Sequence, residues 1–128
     1  MTTHELYWLA GLFEGEGCFS WERHEGSPGA YIGMTDLDII ERVARLLKLR
    51  SRIDRRSGRP GMRHDLFFLK AIGARGVGLM MTLYPLLGMR RRARIREILA
   101  RWKQIPMANG YRKRIWTAAS KDLQAYVA

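Results

Sequence analysis

Residues 9–17 read Leu9-Ala10-Gly11-Leu12-Phe13-Glu14-Gly15-Glu16-Gly17, and this stretch decides the fold. It is a helix-forming start that runs into a glycine-flanked carboxylate and then into a strand. Just upstream, Thr2-Thr3-His4-Glu5 has the spacing of a capping box, with Thr2 as N-cap and Glu5 three residues on. Leu6, Leu9, Leu12 and Phe13 then recur at helical spacing, which predicts a helix over 4–14 that Gly15 and Gly17 terminate. A strand follows over 17–25, in which Phe19 and Trp21 alternate with Ser20, Glu22 and His24. Residues 26–29 make a turn, and a second strand over 31–34 puts Ile32 and Met34 on the apolar face. The stretch therefore sets an acid, Glu16, at the handover from a helix to a hairpin.

Working outward, Thr35 and Asp36 can cap a second helix with the apolar stripe Ile39, Ile40, Val43, Leu46 and Leu47. A second hairpin has arms over 51–56 and 63–72 and a turn over 57–61. Gly73 precedes a third helix over 74–83, which Gly76 and Gly78 weaken. Pro85 and Gly88 break it, and a fourth helix over 89–102 packs Ile95, Ile98, Leu99 and Trp102 while exposing Arg90, Arg91, Arg94, Arg96 and Arg101. Pro106 and Asn109-Gly110 mark a boundary between a core over 1–104 and a basic, aromatic extension over 105–128. This order predicts an α+β fold, an antiparallel four-stranded sheet with helices on one face.

Size and charge narrow the function. At 128 residues the chain is one domain by length, and a hydrophobic content of 47% argues for a packed core. The 23 Lys and Arg against 12 Asp and Glu give a net charge of +11, which makes a polyanion the expected partner. Most of these cations are arginine, the side chain better suited to bidentate phosphate and guanine contacts. Cys18 is the single cysteine, so an intrachain disulfide is excluded and a reducing, cytoplasmic setting is expected. Its expected place is a buried strand position. The amino end lacks the pattern of a secretory signal, and the most apolar segment, 79–89, is too short to span a bilayer.

Helices on one face leave the sheet's other face for water or a partner. Strand alternation assigns to that face Ser20, Glu22 and His24, then Tyr31 and Gly33, then Arg52, Asp54 and Arg56. The run 66–72 is almost uniformly apolar, so alternation fails there and Arg63 and Lys70 are the polar candidates. The set mixes donors, acceptors and a ring. Glu22 and Asp54 are repelled by phosphate but can accept from cytosine amino groups, while arginines read guanine. A solvated strand face with cross-strand ion pairs fits the charge pattern equally well.

The stretch from Leu9 to Gly17 resembles the signature of LAGLIDADG homing endonucleases. Leu9, Ala10, Gly11, Leu12 and Gly17 are identical to it, Glu14 and Glu16 stand for its two aspartates, and Phe13 and Gly15 fall at tolerant positions. The element order matches the family's αββαββα core, and one motif copy in 128 residues resembles its homodimeric branch. The resemblance implies a site-specific double-strand DNA endonuclease acting on a roughly palindromic target and leaving short 3′ overhangs. It implies a dimer through Trp8, Gly11, Leu12 and Gly15, with two Glu16 carboxylates converging near the two-fold axis. Gly11 and Gly15, four apart, leave one helix face bare for that approach. Glu16 and the Gly15 carbonyl become the ligands of Mg²⁺ or another divalent cation such as Mn²⁺, with Glu14 in support. Asp36 falls where family members position a catalytic polar residue, and it can equally be a helix N-cap. Lys70 and Arg90 are both candidates for the basic catalytic auxiliary, and because Ile98 or Leu99 stands where some relatives carry a lysine, the resemblance leaves open these two or another residue. The same fold also serves catalytically inactive DNA-binding regulators and RNA maturases.

Overall fold

The computed structural model describes residues 1–49, 52–57 and 64–105. Arg63, most of the second hairpin's turn and nearly all of the extension expected over 105–128 lie outside the described residues. The elements are α1 (Thr3–Glu16), β1 (Gly17–Glu22), β2 (Ser27–Met34), α2 (Leu37–Leu46), β3 (Asp54–Arg56), β4 (Leu66–Ile72), α3 (Ala74–Leu83), a 3-10 turn (Tyr84–Leu86) and α4 (Met89–Gln104). The strands form one antiparallel sheet in the order β1-β2-β4-β3. The α+β class expected from the sequence is the one observed.

Two compact units are interleaved along the chain. One comprises Met1–Cys18 and Tyr31–Lys70, and the other comprises Phe19–Ala30 and Ala71–Ala128.

In the first unit, α1 starts on a complete capping box. Thr2 Oγ1 accepts from the Glu5 amide at 3.2 Å, and the Glu5 carboxylate accepts from the Thr2 amide at 2.7 Å. The bond from that amide holds the Glu5 carboxyl below its ordinary pKa. The cap is therefore complete at neutral pH and is lost as the pH falls through the lowered value. Leu6, Leu9, Ala10 and Phe13 are buried along one side of the helix. The helix runs two residues past the expected end. Gly15 does not stop it, because a glycine without steric demand can stay helical, and the break comes at Gly17. The Gly17 amide bonds the Phe13 carbonyl and the chain turns extended at once (φ −79°, ψ 163°). A Cβ on Gly17 would stand 2.4 Å from the Phe13 ring and 2.8 Å from its carbonyl oxygen. Only glycine lets the strand leave the helix so tightly.

The α2 helix buries Ile40, Val43 and Ala44 and ends with Lys48 at φ 56°, a left-handed close of the turn. In β3 only Asp54–Arg56 pair, antiparallel to β4, with Asp54 opposite Phe68, Arg55 opposite Phe67 and Arg56 opposite Leu66. Arg52 therefore precedes the strand it was assigned to, and its amide bonds the Leu49 carbonyl at 2.9 Å. Arg55 and Asp65 form an ion pair that ties β3 to the start of β4. Leu69 and Ala71 are buried, so one side of β4 faces a core.

In the second unit, the turn of the first hairpin is residues 23–26, closed by Gly26 at φ 58°, and not 26–29. The proline and glycine that suggested a turn lie inside β2, both buried. Pro28 has no amide to donate, and its carbonyl accepts instead from the Gly73 amide at 2.8 Å. His24 consequently sits in the turn and not on a strand. Val77 and Met81 of α3 and Trp102 of α4 make a buried cluster joined by Trp21 and Leu99. Arg91 is half-buried and not exposed as its place in the helical pattern suggested, whereas Arg90, Arg94, Arg96 and Arg101 are exposed. Arg94 reaches back to the Phe19 carbonyl (Nε–O 3.3 Å), and Arg101 lies 4.3 Å over the Trp21 ring. No helix among the described residues is long and apolar enough to cross a membrane.

Replacing Gly17 by alanine forces a Cβ into the Phe13 backbone, which a rigid helix end cannot yield cheaply. The variant should lose about 1–3 kcal/mol, the usual cost of overpacking, measured by urea unfolding against the parent chain.

Candidate functional site

The site grows from the two ends of α1's geometry, its bare side and its carboxyl terminus. At 100° per residue, the buried residues Leu6, Leu9, Ala10 and Phe13 define one side, and Trp8, Gly11 and Gly15 point the other way. Gly11 and Gly15 are exposed, and a Cβ at either would meet no atom within 4 Å. Trp8 and Leu12 are half-buried at the margin of this strip, and the Arg42 guanidinium of α2 covers the Trp8 ring at 3.9 Å. The helix thus has one packed side and one side without side chains at the two glycines.

At the carboxyl end, Glu16 is the last helical residue and is exposed. The final carbonyls of a helix have no donor four residues on, so those of Gly15 and Glu16 are not used by the helix ladder. These carbonyls form the negative end of the helix dipole, and the last turn contains no basic residue to answer it. Glu16 adds a further negative charge, and it forms no side-chain hydrogen bond or ion pair with a described residue. Local electrostatics disfavour this arrangement in an isolated chain and favour it beside a cation.

Among the described residues no group of three or more His, Cys, Asp or Glu could cage a metal. The donor set at the α1 terminus is a single carboxylate with backbone carbonyls. Such a set suits Mg²⁺, which keeps several waters and commonly takes one or two protein carboxylates together with substrate phosphates. The residues present fit a hard divalent cation bound jointly by protein and phosphate.

The sheet's expected outward face is partly assembled in the first unit. Opposed residues of an antiparallel pair share a face, so Asp54, Arg56, Leu66 and Phe68 lie together, and Lys70 follows by alternation along β4. Lys70 Nζ stands 5.0 Å from the centroid of the Tyr31 ring, and Arg56 stands 4.7 Å over the Phe68 ring. A Cβ at Gly33 would come within 2.6 Å of Phe68, so that ring lies against the bare glycine. Tyr31, Gly33, Asp54, Arg56 and Lys70 are thereby brought into one patch. In the second unit, Ser20 and Glu22 are half-buried on one side of β1, and the Ser20 hydroxyl donates to the Glu22 carboxylate at 3.2 Å. Cys18 shares that alternation and is exposed, contrary to expectation, because Gly17 and Phe19 take the buried positions on either side.

Asp36 occupies the N-cap position of α2 but its side chain makes no capping hydrogen bond. Arg90 is exposed near the start of α4. Phe68 was missed by the sequence reading, since strand 66–72 looked apolar on both faces. The usable signal was Lys70: if its ammonium faces out, the residue two before it must face out as well.

With this geometry in place, the comparisons decide the family. A family model described as a LAGLIDADG-like domain matches residues 3–77. The chain belongs to the LAGLIDADG family. The matched region contains α1, both hairpins and α2, and so includes the Leu9–Gly17 stretch. Among solved structures, the chain is similar to the homing endonuclease I-CvuI in two complexes. In complex with the I-CreI target and Mg, where the DNA is not cleaved, the identity is 17% and the TM-score 0.57. In complex with its own target and Ca, the identity is again 17% and the TM-score 0.58. Each match covers 92% of this chain and 78% of the I-CvuI chain. This likeness shows a shared LAGLIDADG fold. No curated protein sequence matches significantly.

Because Glu16 adds charge to the negative end of α1, neutralising it should stabilise the free protein. Glu16→Gln is expected to raise stability by about 0.3–1 kcal/mol at low ionic strength, with the gain shrinking in salt. Chemical denaturation of parent and variant at two salt concentrations measures this.

Proposed function

We propose that this LAGLIDADG chain is a site-specific double-strand DNA endonuclease that works as a homodimer with a divalent cation. One observation carries the reading. Glu16 stands exposed at the negative end of a helix whose last turn carries no basic residue and whose other side is bare at Gly11 and Gly15. Two copies of α1 can approach closely along such a strip, and the two-fold axis then brings both helix ends, each with its Glu16, to one place. A palindromic DNA presents its two scissile phosphates with the same symmetry.

In this mechanism Glu16 and the Gly15 carbonyl hold the cation. Mg²⁺ so bound supplies Lewis-acid polarisation of the phosphate and eases ionisation of water at neutral pH. The sheet patch of Tyr31, Asp54, Arg56 and Lys70 contacts base edges and backbone and fixes the register on the target, and Ser20 and Glu22 of β1 are assigned to DNA contact as well. Asp36, whose side chain makes no capping hydrogen bond to α2, is assigned to orienting water, and Lys70 to neutralising charge on the phosphate. Glu14 supports the helix end. Residues 1–104 make the endonuclease core, and 105–128 are assigned as an extension to it. I-CvuI was solved on DNA targets with Mg or Ca, which supports the choice of partner and ion class.

Cleavage of a plasmid library of random sites tests the activity. Glu16→Gln should lose cutting by at least about a hundred-fold, within the range for removing a charge-stabilising group, while still binding the selected duplex. Affinity of both proteins should fall steeply between low and moderate salt as counterions are released. A variant that cuts like the parent would refute the assignment of Glu16.

The dimer has its own test. Gly11→Leu places a bulky side chain on the bare strip, at a position where a Cβ meets no atom within 4 Å. Sedimentation should show a shift from dimer to monomer with the fold intact. A variant that dimerises as tightly as the parent would remove α1 from the interface.

A further inference from the structure

Phe68 needs an explanation that a solvated strand face does not give. It lies on the outward side of β4, opposite Asp54, where an ordinary exposed strand position would be polar. Its ring is pressed against Gly33, with Cδ1 2.6 Å and Cε1 2.7 Å from where a Cβ of that residue would be. The Arg56 guanidinium lies 4.7 Å over the same ring. The side chain is half-buried on its own sheet and still reaches the surface. A flat apolar platform, seated on a glycine and flanked by a cation, is thus built into a patch that also carries Tyr31, Asp54, Leu66 and Lys70.

The major groove has one apolar feature that identifies a base, the C5-methyl group of thymine. A phenyl ring can contact it and can neither donate to nor accept from the hydrogen-bonding edges beside it. Set against a cytosine amino group, the ring would leave a donor without a partner, which disfavours that base. Arginine is the common bidentate reader of guanine, and contact with the ring limits the conformations Arg56 must give up on binding. On the reading that this sheet face enters the major groove, we propose that Phe68 is a specificity-determining residue. It reads the methyl group of one thymine in each half-site, and the ring positions Arg56 to read a guanine near that thymine.

The experiment uses the full chain and uracil, which differs from thymine only by the missing methyl. A target is first selected from random duplexes, and each thymine of the half-site is then replaced by uracil in turn. For the parent protein, one position should lose about four-fold in affinity per half-site, the worth of one buried methyl group. Phe68→Ala should abolish the loss at that position and keep the rest of the uracil profile. Phe68→Leu, which retains an apolar contact and guards against misfolding of the alanine variant, should preserve the loss. Gly33→Ala displaces the ring without removing it and should weaken the loss.

A Phe68→Ala profile identical to the parent's would overturn the proposal, as would a parent indifferent to every thymine methyl. Both results leave DNA recognition by this face standing. A parent that selects no duplex at all would instead overturn the functional reading on which the proposal rests.

Discussion

The tight exit of the chain from α1 into β1 is the constraint on which the rest depends. Gly17 passes so close to the Phe13 backbone that no side chain fits, and no loop residue intervenes between helix and strand. A rigid helix and a sheet are thereby joined at one peptide, and Glu16 is fixed at the joint. A carboxylate on a flexible loop would be placed only on average. Here its position follows from the direction of α1, which the buried residues Leu9 and Phe13 anchor.

The same helix makes an acid at that end unfavourable in the isolated chain. Helix ends usually gather charge that opposes their dipole, and the first turn of α1 does so with Glu5. The last turn does the reverse, with Glu14 and Glu16 and no base. In a chain of net charge +11 cations are plentiful, yet this turn contains none. The bare strip at Gly11 and Gly15 has the same character, since it offers the isolated helix nothing and becomes useful only when something closes on it.

What the sequence made legible, and what it did not, divides along physical lines. The capping box, the buried side of α1, the break at Pro85 and Gly88 and the α+β class are local or periodic signals, and each appears in the structure. The first turn was misplaced because glycine and proline mark both turns and strand irregularities. Gly26 alone took the positive φ, and Pro28 found a use as an acceptor inside β2. Arg52 and His24 fell off their strands because pairing, which alternation cannot count, set the strand ends. The face of β4 became readable only through its register with β3, a contact between residues far apart in the chain. The place of Glu16 at the end of α1 and the bare side at Gly11 and Gly15 were legible because motif and helix period coincide there. Asp36 was ambiguous, and in the structure its side chain makes no capping hydrogen bond to α2.

The central claim is that two Glu16 carboxylates meet a divalent cation at a dimer axis on DNA. A crystal structure of the protein on its selected duplex with Mn²⁺, located by anomalous scattering, tests it most directly. The account predicts metal density about 2 Å from Glu16 oxygens of both protomers, with the two α1 helices crossing at Gly11 and Gly15. Metal bound elsewhere, or protomers meeting through another surface with their Glu16 residues far apart, would contradict it.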